Sequence, residues 1–559
     1  MLDLSRNIYI DFLDYSIWMK GMKKIVVPMI ALSLLLSGML LAVGGEATDR
    51  NDVEEMEKAE TEPTEIHDWH DLDAVRDNLD GDYVLMNDLD EDTDGYDELV
   101  DTEEGWEPIG RFHLEENVEF TGTFYGKERE IRNLSIHRPD ENHIGLFGAT
   151  TNGAEIVEIG IVDANVIGEG QVGGLLGENG VDGRVINSYV EGHVSGESIV
   201  GGVVGANGND AFVEGSYFEG EVSGDEDIGG LVGINGAQGT VESSYAAGNL
   251  SGEERVGGLI GLNSGTISKS YATIYSTLGE NLVGGLVGYN VRRVRDSYAQ
   301  GDVSGVTRVG GLIGENVGSV LNSYARGDVS GDNNVGGLVG YNDGTVSKSY
   351  ATGRVSGDDA VGGLIGDDDK IVMNSFWNVE STEQEESDGG TGKTTDEMKH
   401  VGTYTDTATE GLNQPWDFLD DPYDDQNDED VWDIDEDEKI NDGYPFFFWD
   451  YYHTLNVTIE GEGAVEIDPD EDEYKTGSEI DLTAIPDEGW EFVEWAGDVL
   501  EGEEEEEINI EMNDDKRITA VFEEDEDILE RIRDISGFTS TILSIAVVIA
   551  LAIYHKKER

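Results

Sequence analysis

The stretch 335–360, VGGLVGYNDGTVSKSYATGRVSGDDA, decides the fold. Its opening hexapeptide recurs at Val172, Val200, Ile228, Val256, Val283, Val309, Val335 and Val361, at intervals of 28, 28, 28, 27, 26, 26 and 26 residues. A weaker copy, HIGLFG, begins at His143. A Ser-Tyr pair follows each hexapeptide, from Ser188-Tyr189 to Ser349-Tyr350, and the last rung carries Ser375-Phe376. Self-similarity at a fixed period of about 20–50 residues marks a solenoid or a propeller. Three β-prone runs, VGGLVG, TVSKSYAT and GRVSG, are bounded by Gly, Asn or Asp. Three short strands and three corners fit one rung of a parallel β-helix, whereas a propeller blade needs about 40 residues and four strands. With rungs about 4.8 Å apart, nine of them make a rod on the order of 40 Å long.

Fixed columns accompany the period. Two residues after each hexapeptide stand Asn179, Asn207, Asn235, Asn263, Asn290, Asn316 and Asn342, then Asp368. Asparagine tolerates a left-handed corner, and its amide can bond the amide one rung on. The Gly-Gly pair predicts a tight wall without side chains. The aliphatic positions of the hexapeptide predict stacked core columns. Tyr189 to Tyr350 form an aromatic column whose direction stays open: Val346, Lys348 and Tyr350 share one parity, Ser347, Ser349 and Ala351 the other. A bend inside this strand is expected.

Composition bounds location and partners. The 559 residues hold 122 acidic and 34 basic side chains, a net charge of −88. Such a surface excludes generic nucleic-acid binding, which needs a basic face to displace counterions. The acid runs through the repeats as well as the linkers, which fits a protein of a salt-adapted organism, where screening quiets self-repulsion. Zero cysteines exclude disulfides, Cys-metal sites, thiol nucleophiles and a lipobox anchor. Lys23-Lys24, the apolar run Ile25–Val43 and the small residues Gly44 and Gly45 have the parts of a secretory signal. An uncleaved anchor helix is the other reading. Met1, Met19 and Met22 are alternative starts. Phe538–Tyr554 is nearly all apolar and is followed by a basic end, His555 to Arg559, as expected of a single-pass anchor with the body outside the cell.

VGGLVGYNDGTVSKSYATGRVSG resembles the GLUG repeat of bacterial and archaeal surface proteins. The lead-in, DLDAVRDNLDGDYVLMNDLD then FTGTFYGKEREIRNLSI, is similar to the usual opening of such arrays, and Trp432-Asp433-Ile434-Asp435 with Asp442-Gly443-Tyr444-Pro445 to their close. The resemblance runs from about Ile66 to Trp449. It implies an adhesin-like β-solenoid on the cell surface and no catalytic residues. Residues 453–523 resemble a divergent internalin B-type repeat through Gly461, Gly463, Pro469, Gly477, Gly489, Trp490, Phe492, Trp495, Gly497 and Phe522. Ser536-Gly537-Phe538 stands where the tail of an archaeal sortase substrate carries Pro-Gly-Phe; serine replaces the proline.

The expected fold is all-β: a right-handed parallel β-helix of GLUG repeats, a small β-grasp-like module and a C-terminal transmembrane helix. The domains are 1–45, an extension and signal; 46–65, an acidic spacer; 66–143, an N-terminal cap and first rungs; and 144–378, the solenoid. An acidic connector and cap (379–452), the internalin-type module (453–523), an acidic stalk (524–535) and the anchor (536–559) follow. Trp69, Leu72, Val75 and Leu79 predict a short amphipathic cap helix. The aromatics of 379–452 shield the last rung or offer a sugar-stacking face.

Candidate chemistry is sparse. Gly389-Gly390-Thr391-Gly392-Lys393-Thr394-Thr395 imitates a phosphate loop, but Ser387 stands where the first glycine belongs. No nucleotide is expected. His67 and His70 sit on the cap helix, and no HExxH exists. Asp367-Asp368-Asp369 and the run Glu501–Glu507 are solvated acid or Ca²⁺ ligands. No other cofactor is expected. Asn133, Asn249 and Asn456 open N-glycosylation sequons. The near-constant period leaves no room for the long loops that build a polysaccharide-cleaving cleft, so no enzyme is expected. The leading expectation is a membrane-anchored adhesin or envelope component that meets cell-envelope glycans or other surface proteins through its repeats. The alternative is a secreted carbohydrate-active enzyme on a β-helix.

Overall fold

A computed structural model describes residues 63–100, 102–111, 118–418, 431–435, 440–469, 474–476, 478–487, 489–497, 499, 506–512 and 516–524. The chain divides after Thr61, and all described residues belong to the unit Glu62–Arg559. The signal segment, most of the acidic spacer and the tail lie outside them. The start of the first strand, Thr64–Ile66, takes the last residues assigned to the spacer.

The architecture is a parallel β-solenoid. One sheet stacks eight strands, from Gly170–Gly173 to Asp359–Gly362, and another stacks nine, from Phe147–Ala149 to Ile365–Asp368. A third sheet of 22 strands carries the rest of every rung. In one rung the segments are Ser198–Gly201, Val204–Asn207, Phe212–Glu214 and Tyr217–Ser223. All pairings between rungs are in parallel register: Val200 lies over Val172 and under Ile228, and Asn207 over Asn179 and under Asn235.

The hexapeptide is therefore a corner rather than one strand. Its first two residues end a strand of one sheet, and its last two begin a strand of the next. A Cβ on Gly202 would meet the Phe218 ring at 2.2 Å and the Gly230 carbonyl at 2.2 Å. Close approach, not a left-handed backbone, makes these positions glycine. The bend expected before Tyr350 falls on Lys348, with φ of 49°; Asn187, Ser243, Lys269, Asp296, Asn322 and Asn374 occupy the same column in the same conformation. A second left-handed column precedes each hexapeptide and includes Ile199 and Leu282. Such residues cost roughly 1–2 kcal/mol each, a strain that the backbone ladders on both sides offset.

Each left-handed residue flips the side-chain alternation. Val185, Val213 and Val241 point inward, then Val190, Phe218 and Ala246 do so after the flip, and all are buried. The hexapeptide contributes three further columns: Val172 to Val335, Leu175 to Leu364, and Leu176 to Ile365. One apolar core runs the length of the rod.

Asparagines close the corner next to this core. They are 0–1% exposed from Asn179 to Asn342. None has a positive φ, so the left-handed role expected for them falls away: Asn ends an extended strand and acts through its amide. Nδ2 of Asn179 donates to Oδ1 of Asn207 at 2.8 Å, and the pattern repeats through Asn235, Asn263, Asn290, Asn316 and Asn342 at 2.8–2.9 Å. The chain has a direction. Thr150 Oγ1 donates to its first member at 3.2 Å, and Asp368 accepts from Asn342 at 2.7 Å at its end. The last member need only accept, so aspartate fits there. A second ladder uses the serines: Ser188 N–H donates to Ser216 Oγ, and Ser216 N–H to Ser244 Oγ, each at 3.1 Å.

The ends are covered. Trp69, Leu72 and Val75 are buried by helix Trp69–Asp73 and the 3-10 turn Ala74–Asp77. At the other end, Gly363 N–H bonds the Glu386 carbonyl, and Leu364 and Ile365 N–H both bond Ser387 Oγ. Residues 453–524 pack two three-stranded sheets over Ile480, Leu482, Trp495, Ile510, Ile518 and Phe522. Among the described residues this module has no helix. Among the described residues no helix is long and apolar enough to cross a membrane; the proposed anchor at 536–559 lies outside them.

Amide direction yields a test. Asn263→Asp places a carboxylate against Asn290 Oδ1, where a donor is required, and should cost about 3 kcal/mol or more. Asp368→Asn keeps the acceptor and should cost under about 1 kcal/mol. Urea unfolding of the two variants compares them; equal losses would refute a directed ladder.

Candidate functional site

On the outer face of the tyrosine strands, aromatic and polar columns run side by side. Alternation sends Tyr217, Glu219 and Glu221 outward while Phe218 and Val222 enter the core. Along the rod, Tyr189, Tyr217, Tyr245, Tyr271, Tyr298, Tyr324 and Tyr350 stack ring on ring, with centroids 4.7–5.0 Å apart and planes within 1–7°. The register sets this spacing. The rings use their faces on one another, so the column offers a ligand only edges and hydroxyls.

The described residues between 395 and 452 cover the C-terminal half of the column. Phe447 lies 5.4 Å from Tyr324, Trp432 lies 6.1 Å from both Tyr324 and Tyr350, and Tyr350 O–H donates to the Pro445 carbonyl at 2.6 Å. Trp416, Trp432, Tyr444 and Phe447 are buried there. The connector thus has two roles: residues 379–393 close the last rung, and the following aromatics form a lateral plate. A sugar-stacking face on Trp416 or Trp432 is ruled out by that burial.

Asp450 enters this plate beside Tyr298, which donates a hydrogen bond to it. Burial pushes its carboxyl from an ordinary 3.8 up to about 6. On the uncovered half, Tyr189 O–H donates to Glu130 at 2.7 Å and Tyr245 O–H reaches Glu219 at 3.4 Å. Burial, then the carboxylates of Glu191 and Glu219, raise Tyr217 to about 12. Glu191 is itself raised by burial and by Glu219 and Glu130.

Beside the tyrosines runs a groove with a glycine floor. Gly192, Gly220, Gly248 and Gly301 have φ of 145°, 151°, 135° and 114°, and a Cβ on Gly220 would sit 1.9 Å from the Gly192 carbonyl. One rung breaks the column. Between Tyr271 and Leu278 the strand has one extra residue, and its register against Tyr245–Ser251 shifts after Gly248. Ile274 takes the glycine's place and turns into the core, while Tyr275 is thrown outward and is 77% exposed. Tyr275 lines a 380 Å³ hollow with Gly192, Gly220 and Gly248, and a 700 Å³ hollow with Gly301, Gly327 and Gly353. Asp302 and Asp328 edge the groove, each accepting a backbone N–H from the following rung at 3.0 Å.

The other singled-out residues are dispersed. The asparagine ladder is internal. Asn249 is exposed in the groove, Asn456 is exposed on strand Leu455–Glu460, and Asn133 is half-buried with φ of 57°. Asp367, Asp368 and Asp369 accept hydrogen bonds from Asn334, Asn342 and Tyr341 respectively. Among the described residues no group of three acidic or histidine side chains is placed to hold a metal; residues 501–505 lie outside them. Thr391–Lys393 is a strand paired with Phe376–Asn378, and Thr394 caps the short helix Thr395–Met398 with Glu397. No phosphate cradle forms there. His67 pairs with Glu65 at 3.1 Å. Ser536, Gly537 and Phe538 lie outside the described residues. Sequence reading missed the serine ladder, Asp450 and Tyr275. Two of these left a signal: the serine of every Ser-Tyr pair, and the 27-residue interval, which is a 26-residue rung with one residue added, in YATIYSTL.

Comparison with known proteins agrees with the repeats. The GLUG motif family model matches residues 279–304 and 331–356, and the divergent InlB B-repeat domain model matches 453–526. Halomucin of Haloquadratum walsbyi is 38% identical over 76 residues, which is 14% of this chain and 1% of halomucin. The chain therefore matches a very small part of that relative. A crystal structure provisionally described as an immunoglobulin A1 protease of Bacteroides ovatus aligns over 69% of this chain and 92% of its own, with 16% identity and a TM-score of 0.34. At that score the likeness carries no weight for fold or function.

Asp450 gives the plate a pH dependence. Its folded value lies above its unfolded one, so the folded chain binds the proton more tightly between 3.8 and about 6. The plate is favoured below that window, weakens as pH rises through it, and above it bears a penalty of about 1–3 kcal/mol. Asp450→Asn should remove the penalty. The difference in melting temperature between variant and wild type is expected to favour the variant at pH 7.5 and to vanish near pH 4; a constant difference contradicts the assignment.

Proposed function

We propose that this protein is an adhesin-like surface protein whose solenoid is its binding element, exported from a salt-adapted archaeal cell. The observation that carries this reading is the uncovered outer face, where a regular array of ring edges, carboxylates and a polar groove stays open while the ends and the other half of the tyrosine column are capped. GLUG repeats and the similarity to halomucin support a surface location. The charge of −88 supports work at high salt, where a Debye length of about 3 Å at 1 M limits self-repulsion. The apolar tail is its membrane attachment in this reading, with the internalin-type sandwich as spacer.

Repetition supplies the mechanism. Rungs set about 4.8 Å apart present like groups along a line, so weak contacts to an extended envelope polymer add through effective concentration. Glycans or neighbouring surface proteins are the partners of this kind. No catalysis and no cofactor enter the proposal.

The full chain should be retained by immobilised envelope fractions or glycans at molar salt, without shortening them. Release of reducing ends would favour the polysaccharide-cleaving alternative. Loss of retention in every fraction would refute the adhesin-like reading.

A further inference from the structure

The rung Tyr271–Leu278 departs from the repeat twice. Its extra residue exposes the Tyr275 ring to 77%. Its Thr277 occupies the core column of Leu250 and Val303, and the Thr277 hydroxyl is buried without a hydrogen-bond partner. Burying an unpaired hydroxyl costs about 1–3 kcal/mol, and an exposed ring gains no burial. Departures from local rules without a folding benefit concentrate at functional sites.

Geometry defines what the departure builds. Tyr275 is 77% exposed and, among the described residues, no other ring stacks on it, unlike the members of the tyrosine column. It rises from a backbone floor at the junction of the 380 and 700 Å³ hollows. Asn249, Thr273, Gln300 and Asp302 surround it with amide, hydroxyl and carboxylate groups. An aromatic face flanked by such groups suits a pyranose ring, whose C–H face packs on the aromatic while its hydroxyls bond the rim. The groove runs along the rod, and an extended pyranose chain advances by about one rung spacing per sugar. Glu221, Asp302 and Asp328 edge the hollows, which disfavours a polyanionic polymer. The one basic side chain in the larger hollow, Arg326, is paired with Asn441 and Asp442.

We propose that the Tyr275 groove is a binding site for a neutral glycan chain, with Tyr275 as the stacking anchor and Asn249, Gln300 and Asp302 as hydroxyl partners. This rests on the adhesin-like reading and makes it specific: affinity centres on the rung that breaks the repeat, and the regular rungs extend the contact.

The test uses the full chain at molar salt, titrated calorimetrically with hexasaccharides of β-1,4-linked glucose, α-1,4-linked glucose and N-acetylglucosamine. At least one should bind. Tyr275→Ala should weaken it by about tenfold or more, and Tyr275→Trp should retain it. Far-UV circular dichroism and the melting temperature should be unchanged in both, because the side chain is exposed. Equal affinity in Tyr275→Ala, or no binding of any of the three, overturns the site. Envelope fractions are run in parallel. Retention that survives Tyr275→Ala and is not competed by the hexasaccharides would leave the adhesin-like reading with a protein partner. Loss of all retention would remove both.

Discussion

Every rung must lie in register on the one before it. Backbone N–H and C=O groups in the strands of each rung are satisfied by its neighbours, so one residue of slippage would unpair a whole ladder and turn core side chains to solvent. That constraint explains the aliphatic columns, the tyrosine spacing of 4.7–5.0 Å and the buried amides. The asparagines add what apolar columns lack. Valine on valine tolerates small shifts, whereas Nδ2 must meet Oδ1 within hydrogen-bond distance, so the amide chain fixes register at one corner.

The sequence made the rod legible because its period is a direct image of that constraint. The hexapeptide, the Asn column and the Ser-Tyr pair each mark one place per rung. Local conformation was less legible. Left-handed backbone falls on Ile199, Leu282 and Lys348, residues that shun it in isolation; the ladders on either side impose it. The asparagines, which tolerate it, stay extended. The plate was hidden for another reason: Trp432 and Phe447 find their partners about 100 residues away in the tyrosine column, and no local pattern reports such contacts. Residues 379–393, which hold no aromatic side chain, close the end of the last rung, while Tyr404 and Trp416 pack on its Phe376 and the later aromatics cover the tyrosine column beside it.

Regularity and function pull apart on the open face. A perfect column of glycines would leave a smooth groove, and a perfect column of tyrosines would spend every ring face on another ring. The single added residue in YATIYSTL changes the groove: it adds a tyrosine outside the stack, which stays unbroken through Tyr271, and interrupts the groove floor. Its effect is confined to one rung because Ile274 fills the core on that rung and Gly301 restores the column on the next.

Side-chain footprinting with hydroxyl radicals, read tyrosine by tyrosine in the native chain, tests this account most directly. Tyr275 should be the most reactive of the solenoid's tyrosines, Tyr189, Tyr217 and Tyr245 intermediate, and Tyr324 and Tyr350 protected until the chain unfolds. Modification of Tyr324 and Tyr350 at the rate of Tyr275 would contradict both the covering plate and the exposed placement of Tyr275.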